Sequence, residues 1–183
     1  MKKLFLVGAL ALFGAMNAQT FGLKAGMNVA SVSNVPGSSS KIGFNAGAFM
    51  NAPIATDFSI QPEVLYNYKG VAVSGGDLNL SYISVPVMFQ YNALPQLYLE
   101  AGPEFSLLVA ANAKGGGSSV DIKEAMNTFD IGIGIGAGYY FTQSIGATVR
   151  YVAGLTNVWK DSAGSDSGKN GVFQVGLAYK FAK

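Results

Sequence analysis

Between Thr128 and Thr142 the chain reads TFDIGIGIGAGYYFT, and bulk alternates along it without a break. One parity carries Phe129, Ile131, Ile133, Ile135, Ala137, Tyr139 and Phe141; the other carries Asp130, Gly132, Gly134, Gly136, Gly138 and Tyr140. A period of two is the signature of a strand. Glycine weakens a strand interior unless something bulky from elsewhere needs the space. A continuous apolar face backed by an almost empty one therefore suits the wall of a small transmembrane β-barrel. Its large residues meet lipid and its glycines leave lumen space for polar side chains of neighbouring strands. A soluble barrel shows the same alternation with the faces exchanged. The last strand separates the two: Phe173, Val175, Leu177, Tyr179 and Phe181 alternate with Gln174, Gly176, Ala178 and Lys180. Small residues and single charges fit a cramped lumen better than an open aqueous surface.

Eight segments are long enough to cross a bilayer as tilted strands, which takes about 9 to 11 residues. They are Thr20 to Ser33, Lys41 to Ala52, Phe58 to Val73, Leu78 to Asn92, Leu97 to Ala111, Thr128 to Thr142, Ser144 to Trp159 and Gly171 to Phe181. The expected fold is all-β, an eight-stranded antiparallel up-and-down transmembrane β-barrel. Tight links at Pro53 to Asp57, Ala93 to Gln96 and Gln143 alternate with mostly longer connections, the longest being Asn112 to Asn127. In outer-membrane barrels the short turns face the periplasm, which places both termini there and the long loops outside a Gram-negative cell. Aromatic girdles are expected at both interfaces. Phe21, Phe58, Phe89, Tyr91, Tyr139, Phe141, Tyr179 and Phe181 form the periplasmic one; Phe44, Tyr66, Tyr68, Phe129, Trp159 and Phe173 form the other. Gly115 to Ser119 reads as a flexible loop tip, with a helical turn expected over Val120 to Met126.

Only 12% of residues are charged although half are apolar; soluble domains carry roughly 25% charge. Lys2 and Lys3, an apolar run from Leu4 to Ala15 and a short polar exit read as a secretory signal over residues 1–18, with the barrel domain over 19–183. That signal holds two of the twelve basic residues and none of the ten acidic ones, so the barrel itself is charge-neutral. The basic pI gives no argument for nucleic acid as a partner. The chain has no Cys and no His. Disulfides, thiol chemistry and the usual metal sites are excluded, and no catalytic residue, cofactor or metal is expected.

Parity places Lys24, Glu63, Lys69, Glu100, Glu104, Asp130, Arg150 and Lys180 on inward faces, four basic and four acidic. Buried charges need partners. Lys24, Glu63, Glu100, Glu104, Arg150 and Lys180 share the periplasmic half, so they are expected to meet in one network. Arg150 is expected to reach across the glycine face to Glu104 or Glu100 with a bidentate contact. Glu100 and Glu104 share a face, as a general acid and base would. With compensating bases and no activated nucleophile, a structural, charge-balanced lumen is the better reading. Gly132-Ile-Gly134-Ile-Gly136-Ala137 imitates a dinucleotide fingerprint, but that motif must turn into a helix, and here the strand pattern continues.

In order along the chain, Phe21-Gly-Leu-Lys-Ala-Gly-Met-Asn28, Ile60-Gln-Pro-Glu-Val-Leu-Tyr66, Tyr82-Ile-Ser-Val-Pro86, Leu99-Glu-Ala-Gly-Pro103, Phe129-Asp-Ile-Gly132, Gly136-Ala-Gly138, Arg150-Tyr151, Gly154-Leu-Thr-Asn157 and Phe173 to Phe181 resemble the outer membrane protein β-barrel domain family that includes the PorT-like proteins. The resemblance covers the chain beyond the signal. It implies an eight-stranded integral outer-membrane protein. Contact with outer-membrane lipid, a monomeric state and insertion by the barrel-assembly machinery through the C-terminal strand are the expected partnerships; here Ala182 and Lys183 follow the terminal aromatic. The resemblance supplies no functional motif, although some members are linked to secretion. The expected function is a closed barrel acting through its extracellular loops in envelope integrity, secretion or adhesion with a protein partner; the alternative is a narrow porin-like channel.

Overall fold

The computed structural model describes residues 19–33, 39–73, 76–160 and 168–182. The expected signal at 1–18 and parts of three connections (34–38, 74–75 and 161–167) lie outside them. The strands are β1 (Thr20–Val32), β2 (Ser39–Ala55), β3 (Phe58–Val73), β4 (Gly76–Asn92), β5 (Leu97–Gly115), β6 (Ser118–Asp121), β7 (Phe129–Tyr140), β8 (Ile145–Gly154) and β9 (Asn170–Lys180). Apart from β6, each pairs antiparallel with the next barrel strand, and β9 returns to β1. The result is a closed eight-stranded antiparallel barrel, as the alternation predicts. Strand β6 lies outside the cylinder and pairs only with the end of β5.

The pleat divides the side chains as the sequence requires. Ile131, Ile133, Ile135 and Val175 face outward, while Lys24, Glu63, Glu104 and Arg150 are buried inside. Large apolar side chains are exposed on every barrel strand, so the apolar surface forms a continuous belt. Soluble monomers rarely expose a contiguous apolar patch beyond a few hundred Å². All eight aromatics expected at the end with short turns are exposed on this belt. At the opposite, loop end, Phe44, Tyr66, Phe129 and Phe173 do the same, and the Tyr66 and Tyr68 hydroxyls donate to Ser81 Oγ and Asn79 Oδ1. Trp159 departs from the expectation: it is half-buried and packs against apolar residues closing the barrel mouth.

The other differences lie at the loop end. Residues 112–115, expected in a connection, continue β5 and fold back as β6, with Asn112 opposite Asp121 and Gly115 opposite Ser118. Gly116 and Gly117 have φ of 56° and 80°. Two successive positive φ values make the mirror-image two-residue turn whose twist matches a hairpin, so this tip is a defined turn. The expected helical turn shrinks to a 3-10 turn at Lys123–Ala125, because Val120 and Asp121 belong to β6. Strand β8 stops at Gly154, and the chain then bends over the mouth, where Val158 is buried. A bulge at Val109 shifts the register between the Ser81–Ala110 and Tyr82–Leu108 pairs, so Leu108 and Ala111 both face in.

Candidate functional site

Among the described residues, buried polar chemistry is concentrated in the lumen, which is built in layers. At the turn end lies an aromatic floor of Phe49, Tyr98 and Tyr140, packed with Ala178. Phe49 stands opposite Gly22 and Tyr98 opposite Gly138 on neighbouring strands. In both pairs a Cβ on the glycine would overlap the ring. The small residues that look like gaps in the sequence are seats for aromatic rings.

Above the floor is an ionic band. Glu100 on β5, Gly136 on β7 and Arg150 on β8 stand in one row across three strands. Because the middle residue has no side chain, the guanidinium passes over it: Arg150 Nε donates to Glu100 Oε1 at 2.7 Å. The fork itself engages the opposite wall, with Nη1 donating to Glu63 Oε2 at 2.9 Å and Nη2 to Glu63 Oε1 at 2.7 Å. Lys24 Nζ adds a third charged contact to Glu63, also at 2.9 Å. Gln61 and Gln90 donate to Glu63 and Glu100. Side chains from five strands, β1, β3, β4, β5 and β8, are thereby tied across the barrel axis. Charge-assisted bonds of this length are the stronger class of hydrogen bond.

Glu104 is not part of that band. Its Oε1 lies 3.6 Å from Lys69 Nζ and accepts from Ser106 Oγ, while Oε2 has no partner. Lys69 Nζ also sits 4.7 Å from the centre of the Tyr82 ring. This pair belongs to a band of short polar groups in which Ser106, Ser84, Asn67, Asn28 and Asn45 hydrogen-bond in succession and Gln174 joins at Asn67. Asp130 is higher still, accepting from Thr156 Oγ1 at 2.6 Å and Asn170 Nδ2 at 2.7 Å, with no cation beside it among the described residues. Lys180 is at the other extreme, over the Tyr140 ring at the turn end. The eight inward charges thus occupy four levels, and only Lys24, Glu63, Glu100 and Arg150 form one cluster.

The loop end is closed by an apolar cap that alternation alone does not reveal. Val32, Val71, Leu78, Leu80, Tyr82, Leu108 and Ala111 line the mouth. Met126 and Val158 descend into it from the connections, supported by Ile122 and Trp159. Met126 bridges to Trp159, and Asn127 Nδ2 donates to the carbonyls of Asn157 and Trp159. The available signal was the run of inward apolar residues at the upper ends of β3 and β4, where a water-filled mouth would carry polar ones.

Residues 17–160 match the family described as outer membrane protein beta-barrel domain. The chain belongs to that family. Among solved structures, this outer-membrane barrel is similar to Neisserial surface protein A, with a TM-score of 0.62 at 20% identity over 88% of this chain and 97% of that one. It is also similar to Ail, the attachment invasion locus protein of Yersinia pestis, with a TM-score of 0.56 at 15% identity over 88% and 98%. At those identities the likeness is one of fold. No curated protein matches the sequence. The barrel crosses the outer membrane, and its apolar belt is its lipid contact.

Proposed function

We propose that this outer-membrane barrel is a non-enzymatic surface protein: a plugged cylinder that holds its loop-end structure outside the cell for contact with a protein partner. The observation that carries this reading is the contrast between the two parts. The lumen is filled by the aromatic floor, the ionic and amide bands and the apolar cap, whereas β5 runs for 19 residues, well past the roughly 11 that a bilayer crossing needs, and ends in the exposed β5–β6 hairpin. A filled lumen counts against the narrow-channel alternative. Glu100 and Glu104 face no open cleft where a substrate could reach them, which counts against acid–base catalysis. The names of the two similar proteins, a surface protein and an attachment locus protein, agree with a surface role.

The short turns and both termini are assigned to the periplasm, and the protein to a monomer inserted by the barrel-assembly machinery through β9. Because the chain contains no cysteine, orientation can be read with single introduced thiols. Gly116→Cys should react with an impermeant maleimide on intact cells, and Gln143→Cys only after the outer membrane is opened. The reverse pattern would invert the assignment. Replacing residues 113–120 by a two-residue turn should leave the barrel folded while changing which envelope proteins crosslink to it. An unchanged crosslinking profile would count against the hairpin as the contact.

A further inference from the structure

Lys180 differs from the other inward cations. Lys24, Lys69 and Arg150 each have a carboxylate within 3.6 Å, whereas Lys180 has none among the described residues. Its Nζ stands 3.7 Å from the centre of the Tyr140 ring. That contact holds the ammonium in place by the attraction of a cation for an aromatic face, but supplies no opposite charge. The ammonium borders a cavity of about 340 Å³ between the β4–β5 and β7–β8 turns, lined by Pro95, Gln96, Phe141, Thr142 and Gln143. The volume is at the small end of ligand sites.

We infer that this turn-end cavity binds the carboxylate end of a peptide, with the Lys180 ammonium as its counter-ion. One positive charge matches one carboxylate; a phosphate would bring nearly two negative charges to a site with a single cation. The neutral amides of Gln96 and Gln143 each offer donors and an acceptor, the complement of a peptide backbone. Thr142 Oγ1 accepts from the backbone of Ser144 and Ile145, which leaves its own proton available to donate. Pro95 supplies an apolar wall for a small side chain. The site stands on this geometry, and it rests on the orientation proposed above only for the compartment, the periplasm, from which the peptide comes.

The test is calorimetric titration of the full chain in an uncharged detergent with an N-acetylated tripeptide of alanine, its carboxamide, and inorganic phosphate. Losing a charge-assisted hydrogen bond is expected to weaken binding by about tenfold or more. The acid should therefore bind at least that much better than the carboxamide, and better than phosphate. Lys180→Gln should reduce the acid to the level of the carboxamide, and Lys180→Arg should retain most of the binding. Equal affinity for acid and carboxamide, equal or better affinity for phosphate, or indifference to Lys180→Gln would each overturn the proposal. Binding in micelles does not depend on which way the barrel stands in a membrane, so a failed labelling experiment would change the compartment and leave the site intact.

Discussion

Arg150 is the residue on which the ionic band depends, because it alone touches both Glu63 and Glu100. Truncating one partner of a buried charge cluster leaves carboxylates desolvated and uncompensated, which costs roughly 3–5 kcal/mol. Arg150→Ala should lower the free energy of unfolding from lipid vesicles in urea by that amount. A change well under 1 kcal/mol would mean that the band is hydrated and contributes little. Part of this geometry was legible in the sequence. Parity alone puts Arg150 and Glu100 on inward faces, and the glycine between their strands makes room for the contact. The bidentate partner was not legible: Glu63 comes from the far wall, and which residues meet across a lumen depends on strand tilt and stagger, quantities that alternation does not encode. Glu104 stands four residues beyond Glu100 on β5, about 13 Å along the strand, which puts it at the level of Lys69.

At the scale of elements, the eight barrel strands follow from period two because lipid on one side and packed side chains on the other leave each strand one register. The loop-end elements do not follow, because there the chain leaves the membrane and inward positions change from polar to apolar. Only the three-dimensional placement of Met126 and Val158 shows that Leu78, Leu80 and Leu108 belong to a second core. That core should behave as a local unit. Met126→Ala removes a fully buried side chain, a change that costs about 2–5 kcal/mol in a well-packed interior. The effect should be felt first at the backbone bond from Asn127 N–H to the Val158 carbonyl, 2.9 Å long in the native protein. Hydrogen exchange at the Asn127 amide should accelerate about thirtyfold or more if the opening is local, taking the lower figure at 1.4 kcal/mol per tenfold. Acceleration of equal size at amides in the middle of β8 would show instead that cap and barrel open together.

For the molecule as a whole, four closures stand in series along the lumen. An ion crossing this barrel would have to pass the aromatic floor, displace the contacts that Lys24 and Arg150 make with Glu63 and Glu100, thread the amide band and then part the apolar cap. Each is made by different residues, so opening one leaves the rest. The native protein in a planar bilayer should give no conductance steps above background, because an eight-stranded lumen is just wide enough for side chains to fill. The informative variant combines Met126→Gly with Val158→Gly, which removes the two side chains that descend into the mouth and leaves every charged side chain in place. It too should stay silent, since the pairs below it are held by bonds of 2.7 to 2.9 Å. Adding Arg150→Ala to that background should release the ionic band and still give no steps, because the aromatic floor and the amide band stay in place, on the condition that the triple variant still shows the heat-dependent shift in gel mobility of a folded barrel. Steps from the cap variant alone would mean that the floor and both polar bands are permeable and the cap is the one barrier, and the reading of this barrel as a plugged scaffold would give way to that of a gated pore.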